Sequence, residues 1–394
     1  MTIEALGARV GLAWKDYQVE AYEAAQRQPG PAQRTCLYFR TGAGKSITSL
    51  VCVALWGHDR AVVVAPPSTH PEWIAQGKKL GVSVEPMSHA KFRMKGTLLS
   101  RSVPLIADEI HMFGGHGGKG FKKLEGLARG LKAPLVLASA TPNYNDAERV
   151  YCIQRLLDPA STKGGFLEFL YRECETEQDP FSMVPKVLGF RNHKDAASYL
   201  AALPGVQYLP DELVYSINDI DYFTPLPAEM EKFGYVASRH RMIASQMEER
   251  HTRTYMQLVG EDGSIHEHVY EILADLVHLA AGPVLIYANH ATVALALAEN
   301  LRENRCRFNV VTGGMTSKAK AAEIQRFRQG DYDVLVGTAS LATGTDGLDK
   351  MCNTLIILDD TDDDALRRQL IGRIMPRGDD TDASMKQVIR LVHP

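Results

Sequence analysis

Residues 36–56 read CLYFRTGAGKSITSLVCVALW, and this stretch decides the fold. The apolar run 36–39 predicts a strand, the turn Thr41-Gly42-Ala43-Gly44 ends it, and 45–56 predicts a helix. A strand, a glycine turn and a helix in this order are the context that a phosphate-binding loop requires. Glycine lets backbone N–H groups approach phosphate oxygens, and the positive end of the following helix faces the same anion. The stretch therefore predicts an α/β fold with a nucleotide site.

Lys45 and Ser46 follow the glycine turn directly. In a phosphate loop the lysine reaches the β- and γ-phosphates of ATP, and the serine hydroxyl binds Mg²⁺. The full pattern G-x-x-x-x-G-K-[ST] requires glycine at position 39, where this chain has Phe39. A glycine turn that merely links a strand to a helix is the alternative interpretation.

A second apolar run, 103–107, leads into Asp108-Glu109-Ile110-His111. Open α/β sheets bind their ligands at the carboxyl ends of the strands, which is where these side chains fall. In a nucleotide site Asp108 would hold Mg²⁺ through water, and Glu109 would orient and deprotonate the attacking water. Taken alone, such a pair of acids is usually a solvated turn.

A third apolar run, 135–138, ends in Ser139-Ala140-Thr141-Pro142. Small hydroxyl residues at a strand end can relay the state of the γ-phosphate, and we group His111 with them in this coupling role. Taken alone, the tetrapeptide is more often an ordinary turn after a strand.

TGAGKS, DEIH and SATP follow one another in the chain, and each ends a predicted strand. In this order they resemble the first motor lobe of superfamily 2 helicases and translocases, which implies ATP and Mg²⁺ as ligands. Upstream, Lys15-Asp16-Tyr17-Gln18 is similar to the glutamine motif of that family, which implies that Gln18 contacts adenine. Residues 66–70 are similar to motif Ia, which implies that Pro66, Ser68 and Thr69 contact nucleic acid.

Strands and helices alternate again from residue 283 onward, which predicts a second parallel sheet. Residues 338–346 are similar to motif V of the same family. The resemblance implies that Gly344 and Asp346 lie where the family touches nucleotide, and that Thr343 contacts nucleic acid. Thr312 and Gly313 follow a predicted strand and either offer N–H groups to a nucleic-acid phosphate, as in the family, or form a plain turn.

Gln369-Leu-Ile-Gly-Arg373 resembles the start of motif VI, whose consensus is Q-x-x-G-R-x-x-R. The second arginine of that consensus falls on Pro376, and Arg377 comes one residue later. The resemblance implies that Gln369 belongs to the catalytic set and that an arginine of this motif neutralises charge on the γ-phosphoryl group. Whether Arg373 or Arg377 does so stays open.

Basic residues gather between positions 78 and 132, with eleven Lys and Arg against four Asp and Glu. Such a face favours sequence-independent, salt-sensitive binding to phosphates, although charged stretches are often simply solvated. Lys119 lies there in the glycine-rich segment 114–120, which we expect to be too flexible for regular structure and to become ordered on a nucleic-acid backbone.

The chain has 394 residues, 45% apolar and 23% charged, which is typical of two or three folded domains. Its 44 basic and 47 acidic residues give a net charge of −3, so total charge does not decide on a nucleic-acid partner. Six scattered cysteines show no zinc-binding spacing, and we expect reduced thiols. The sequence has no leader and no apolar run of about 18 residues, so we expect a cytoplasmic protein, or one of a host cytoplasm if a phage encodes it.

The expected architecture is two tandem RecA-like parallel-sheet lobes, 1–158 and 276–394, joined by a mainly helical segment, 159–275. A joining segment of this length resembles the branch that includes chromatin remodellers and phage recombination helicases. The resemblance implies an ATP-dependent helicase or translocase, which we expect to be monomeric and to act on single-stranded or branched DNA in replication, recombination or repair. A protein partner would supply targeting. An RNA helicase and a non-motor, ATP-switched nucleic-acid clamp are the alternatives.

Overall fold

A computed structural model of the full chain gives the fold. It contains two compact units, Met1–Glu212 (unit 1) and Leu213–Pro394 (unit 2). The structure describes residues 2–27, 33–40, 42–140, 147–178, 184–209, 217–221, 258–260, 263–280, 282–303, 305–341, 348–361, 364–375 and 386–392.

Unit 1 is built on a parallel sheet with strand order β3-β2-β4-β5-β1-β8. A separate antiparallel hairpin consists of β6 and β7. The strands are β1 (Arg34–Phe39), β2 (Arg60–Val64), β3 (Ser83–Met87), β4 (Leu105–Ala107), β5 (Leu135–Ser139), β6 (Cys174–Glu177), β7 (Lys186–Phe190) and β8 (Val206–Leu209).

Helices cover both faces of this sheet, so alternate residues of each central strand enter different apolar clusters. In β1, Cys36 and Tyr38 join the cluster under α5 to α9, whereas Leu37 and Phe39 join the cluster under α1 to α4. The helices are α1 (Ile3–Val10), α2 (Asp16–Gln26), α3 (Lys45–Leu55), α4 (His70–Leu80), α5 (His89–Lys95), α6 (Lys119–Arg129), α7 (Ala147–Leu157), α8 (Gly165–Glu173) and α9 (Ala196–Ala201).

Unit 2 repeats this plan with a parallel sheet of order β11-β12-β10-β13-β14-β9. Its strands are β9 (Ile217–Asp221), β10 (Val284–Ala288), β11 (Phe308–Val311), β12 (Val334–Gly337), β13 (Thr354–Asp359) and β14 (Gln387–Val392). Its described helices are α10 (Glu267–Leu279), α11 (Ala291–Glu303), α12 (Ser317–Arg328) and α13 (Asp364–Ile371). Leu285 and Tyr287 of β10 enter one apolar cluster and Ile286 enters the other.

The prediction of two parallel-sheet α/β lobes is confirmed. The described residues of the expected joining segment 159–275 divide between the units, because β8 adds to the first sheet beside β1 and β9 adds to the second beside β14. Within that segment the described helices are α8, α9 and most of α10, alongside strands β6 to β9. None of the described helices combines the length and the apolar character needed to cross a bilayer.

Candidate nucleotide-binding site

The loop between β1 and α3 has the backbone that a phosphate loop needs. Gly42 and Gly44 both have left-handed conformations, with φ of 79° and 76°, which glycine adopts without a steric penalty. A Cβ atom at Gly44 would also lie 3.0 Å from Nε2 of Gln18. Phe39, which stands where the full pattern has glycine, is the last residue of β1 and is buried in the core. Its side chain therefore serves packing, and the loop turns only after it.

Lys45 is the first residue of α3 and lies across this loop. Its Nζ donates hydrogen bonds to the carbonyl oxygens of Phe39 and Arg40, at 3.2 and 3.3 Å. Its positive charge also lowers the pKa of Asp108, which places the two side chains in one site. Ser46, the next helical residue, is half-buried at the same helix start. Thr41 lies outside the described residues.

Asp108 follows β4 at the carboxyl edge of the sheet and is buried. Burial and, to a smaller extent, the charge of Glu109 raise the pKa of Asp108 to about 7, although the positive charge of Lys45 lowers it. The backbone N–H of Glu109 donates a hydrogen bond to Oδ1 of Asp108 at 3.0 Å. A divalent cation at this carboxylate would favour the charged form, because opposite charge offsets the cost of burial.

Glu109 has a strained backbone, with φ of 48° and ψ of 60°. A non-glycine residue in this region costs on the order of 1 to 3 kcal/mol and is typical of functional sites. The side chain is 14% exposed, and its Oε2 lies 3.5 Å from Nδ1 of His111. That oxygen is buried and has no hydrogen-bond donor among the described residues. It is therefore an acceptor that stays available to a further donor.

Gln18 supports the loop from α2. Its buried side chain donates from Nε2 to Oγ1 of Thr48 at 3.0 Å, and its Oε1 accepts from the Lys15 N–H at 3.2 Å. An amide has two donors and two acceptor positions, so Gln18 retains one of each for a further partner such as adenine.

Two more hydroxyl groups hold the same loop. Thr48 Oγ1 donates to the Gly44 carbonyl at 2.9 Å, and the Tyr17 hydroxyl donates to the Ala43 carbonyl at 3.1 Å. Thr48 was not predicted, because a helical threonine four residues after a glycine carries no functional signal of its own. The sequence did place Tyr17 in the glutamine motif, but gave it no role.

The other predicted residues of unit 1 lie in varied surroundings. Ser139 ends β5 and is buried, as is Ala140, whereas Thr141 lies outside the described residues. In the segment after β2, Pro66 is buried, Ser68 is exposed, and the Thr69 hydroxyl donates to the Pro66 carbonyl at 2.9 Å.

The glycine-rich segment 114–120 contacts α7 through His116. The backbone N–H of His116 donates to Oε1 of Glu148 at 2.8 Å, and its Nδ1 lies 2.5 Å from the same oxygen. A Cβ atom at Gly115 would meet the Glu148 carboxylate, which would then have to shift. Lys119 is exposed and begins α6. Residues 114–118 form neither helix nor strand, in line with the expectation, and α6 begins at Lys119; the ordering of this segment on nucleic acid stays a prediction.

In unit 2, Gln369 lies in α13 and Arg373 follows that helix, and both are buried. Thr312 and Gly313 follow β11, with Gly313 exposed. Thr343, Gly344, Asp346 and Arg377 lie outside the described residues.

An Asp–His pair in unit 2 was not predicted. Asp359 ends β13, is buried, and accepts hydrogen bonds from the backbone N–H and Nδ1 of His290, at 3.0 and 2.6 Å. The neighbouring Asp360 pairs with Arg367 and Arg390, at 3.0 and 3.1 Å. Both carboxylates therefore have partners within unit 2. The two residues of the first pair are 69 positions apart, so no local pattern reveals it.

Comparison with known proteins identifies the second unit most directly, because residues 268–378 match the helicase conserved C-terminal domain. No curated protein sequence matches the chain. S. cerevisiae Dbp5 bound to RNA and ADP BeF3 aligns with a TM-score of 0.56 and 15% identity, over 98% of this chain and 89% of Dbp5. A Dbp5 variant in the same complex aligns with a TM-score of 0.59 and 16% identity, over 99% of this chain and 86% of the variant. The Sulfolobus solfataricus SWI2/SNF2 ATPase core in complex with dsDNA aligns with a TM-score of 0.42 and 14% identity, over 97% of this chain and 88% of that chain. This TM-score is too low to support an argument. The second unit therefore contains a helicase conserved C-terminal domain, and the chain shares its fold with helicase structures.

Proposed function

We propose that this chain hydrolyses ATP and couples hydrolysis to movement along nucleic acid, with DNA as the polymer. The observation that carries the proposal is the cluster in unit 1. Lys45 begins a helix directly after two left-handed glycines and lowers the pKa of the buried Asp108, and Asp108 adjoins the strained Glu109. This combination of a cationic loop and two carboxylates occurs on a fold that is shared with helicases.

ATP binds with its phosphates on the glycine loop, where backbone N–H groups, the start of α3 and Lys45 meet them. The second acceptor and donor of Gln18 contact adenine. Gly344 and Asp346 complete the nucleotide contacts from unit 2.

A magnesium ion fits the donor set of unit 1. Mg²⁺ keeps several waters and phosphate oxygens and needs only one or two protein ligands. The described residues contain no cluster of three or more side chains suited to hold a metal alone. Ser46 and Asp108 supply the protein part, and the buried charge of Asp108 gains from a cation. When bound, the ion neutralises charge on the phosphates.

Glu109 acts as the general base, because its buried Oε2 is an acceptor without a described donor. Arg373 or Arg377, with Gln369, neutralises charge on the γ-phosphoryl group, a contribution of about 10³ to 10⁵ in rate for arginine fingers. His111, Ser139, Ala140 and Thr141 relay the state of the γ-phosphate to the nucleic-acid contacts.

Movement follows if affinity for the strand differs between the ATP and ADP states. The proposed strand contacts are Pro66, Ser68, Thr69 and Lys119 of unit 1 and Thr312, Gly313 and Thr343 of unit 2. Residues 108–111 read DEIH, where other helicases of the family that the chain resembles have DEAD, and this difference favours DNA over RNA as the polymer.

The test compares ATP turnover with single-stranded DNA, duplex DNA, RNA and no nucleic acid. We expect stimulation that is largest with DNA. Glu109→Gln should abolish turnover and spare ATP binding, whereas Lys45→Ala should abolish both, and Glu85→Gln, an exposed acid on β3, is the matched control. Stimulation by RNA alone would support an RNA helicase. ATP-dependent nucleic-acid binding with negligible turnover would support a clamp.

A further inference from the structure

An exposed surface of unit 1 combines large apolar side chains with lysine and arginine. It is formed by α5, the turn Gly96–Leu98, the turn Ile110–Phe113 and the start of α6, and we call it the α5–α6 patch. Its apolar members are Met94, Leu98 and Met112, with exposed fractions of 71%, 81% and 38%. Single exposed apolar residues need no explanation, but a group of them indicates a binding surface.

Hydrogen bonds join the parts of the patch. Lys123 of α6 donates from Nζ to the carbonyl oxygens of Arg93 and Met94, the latter at 3.0 Å. Arg93 donates from Nη1 to the Met112 carbonyl at 3.4 Å. α5 and the turn that carries Leu98 both pack against α6. The three apolar side chains therefore belong to one continuous piece of surface.

The charge of the patch is positive. Its exposed cations are Lys91, Arg93, Lys95, Lys119 and Lys122. From residue 88 to residue 124 the acids are Asp108 and Glu109, which belong to the nucleotide site. The nearby Glu125 is paired with Arg129 and Arg155. Between residues 88 and 124 the sequence has no acid outside the nucleotide site, so these five exposed cations complement a polyanion.

We propose that the α5–α6 patch binds single-stranded nucleic acid, with its cations on phosphates and with Met94, Leu98 and Met112 against exposed bases. This inference rests on the proposed function. Cations that neutralise phosphates bind any sequence and release counterions, and apolar side chains such as Met and Leu can pack between bases. α5 follows β3 and the Ile110–Phe113 turn follows β4, so the patch lies at the same sheet edge as the nucleotide site.

The experiment uses the full-length protein and two probes, an oligothymidylate and an abasic oligomer of the same length. The charge variant combines Lys91→Gln, Lys95→Gln and Lys122→Gln. We expect it to bind both probes more weakly, and to reduce the slope of log affinity against log salt by about 2, because each single-strand phosphate contact contributes about 0.7.

The apolar variant combines Met94→Ser and Leu98→Ser. We expect about a ten-fold loss of affinity for oligothymidylate and no change for the abasic oligomer, since only the former offers bases. Leu188→Ser is the matched control, because Leu188 is 61% exposed on β7 in the same unit and outside the patch. Basal ATP turnover should be the same in all three variants.

Three results would overturn the inference. Both variants could bind the probes like the unmodified protein while nucleic acid still stimulates ATP turnover; the patch assignment would then fail and the proposed function would stand. If the unmodified protein neither binds the probes nor responds to them in turnover, the proposed function itself fails. If polyglutamate binds as tightly as oligothymidylate and the same variants abolish its binding, the patch is a docking surface for an acidic protein.

Discussion

Thr48→Val tests whether one buried hydroxyl holds the phosphate loop in place. Thr48 is fully buried, and its Oγ1 donates to the Gly44 carbonyl while accepting from Nε2 of Gln18. Valine has nearly the same shape and the same branched Cβ, so packing and rotamer preference change little. The substitution therefore removes these two hydrogen bonds together with the polar contact between Thr48 and the buried Tyr22 hydroxyl.

The magnitude follows from the groups left behind. The Gly44 carbonyl still accepts a hydrogen bond from the Thr48 backbone N–H at 3.0 Å, so this carbonyl loses only one of its two Thr48 donors. The Gln18 amide, 6% exposed, loses its partner for one donor inside the protein. A buried donor without a partner costs about 1 to 3 kcal/mol. We expect Thr48→Val to lower the free energy of unfolding of unit 1 by about 2 kcal/mol.

Denaturant unfolding of Thr48→Val, Gln18→Met and the double variant measures this coupling. Replacing both partners by apolar groups removes the unpaired donor, so the double variant should be less destabilised than the sum of the single variants, by about 1 to 2 kcal/mol. Ser49→Ala is the control, because the Ser49 hydroxyl is buried and donates only to the Lys45 carbonyl, at 2.8 Å. Its expected cost is below about 1 kcal/mol.

The preference for ATP over GTP distinguishes a residue that contacts adenine from one that only supports the phosphate loop. If Gln18 contacts adenine, Gln18→Met should lose the preference for ATP over GTP, whereas Thr48→Val should weaken both nucleotides alike. Unfolding of Thr48→Val at the same denaturant concentration as the unmodified protein, with strictly additive effects in the double variant, would refute the coupling.

Three further substitutions test the site. Mainly through burial, the pKa of Asp108 rises from 3.8 to about 7, so the folded protein binds the carboxyl proton more tightly than the unfolded chain does. This proton binding stabilises the fold fully below about pH 4, and the stabilisation is lost as the pH rises to 7. Asp108→Asn should match the unmodified protein at pH 4 and be more stable above pH 7, by on the order of a few kcal/mol; a difference that does not vary with pH in denaturant titrations would contradict this. Gly44→Ala should destabilise by about 1 to 2 kcal/mol and abolish ATP binding in calorimetry, because alanine is strained at φ 76° and its Cβ would press on Gln18; normal ATP affinity would argue against the loop. Glu109→Gly should abolish turnover yet raise the melting temperature, since glycine relieves a strain of about 1 kcal/mol at φ 48°; a lower melting temperature would show that Glu109 stabilises the fold.

The central strands could be predicted because parallel strands buried on both faces appear as continuous apolar runs between turn signals. β10 and β13 are of this kind. β9, with the sequence INDID, has polar residues at three of its five positions and lies at the edge of its sheet. Its place depends on pairing with β14 and on the contact of Asp219 with Arg390, 171 residues away. No local pattern carries that information.

The site shows the same division between local and distant signals. The strand, turn and helix around Lys45 follow from local sequence. The support of the loop by Gln18 depends on Thr48, which is 30 positions away, and its hydrogen bond appears only in the folded chain. The core position of Phe39 explains why the phosphate-loop pattern departs there, since the last residue of a buried strand gains more from an aromatic side chain than from glycine.

Two residues at the end of β4 have the physical features of a functional site, independently of any resemblance. Burial of the Asp108 carboxylate is unfavourable, as its raised pKa indicates. The left-handed backbone of Glu109 is also unfavourable for a residue other than glycine. The two costs have different physical origins and fall on adjacent residues. Asparagine and glycine at these positions would remove both, at no loss to the apolar packing of β4. A strand end that keeps two costly carboxylates next to a cationic glycine loop is what chemistry on a phosphate requires and what stability alone does not.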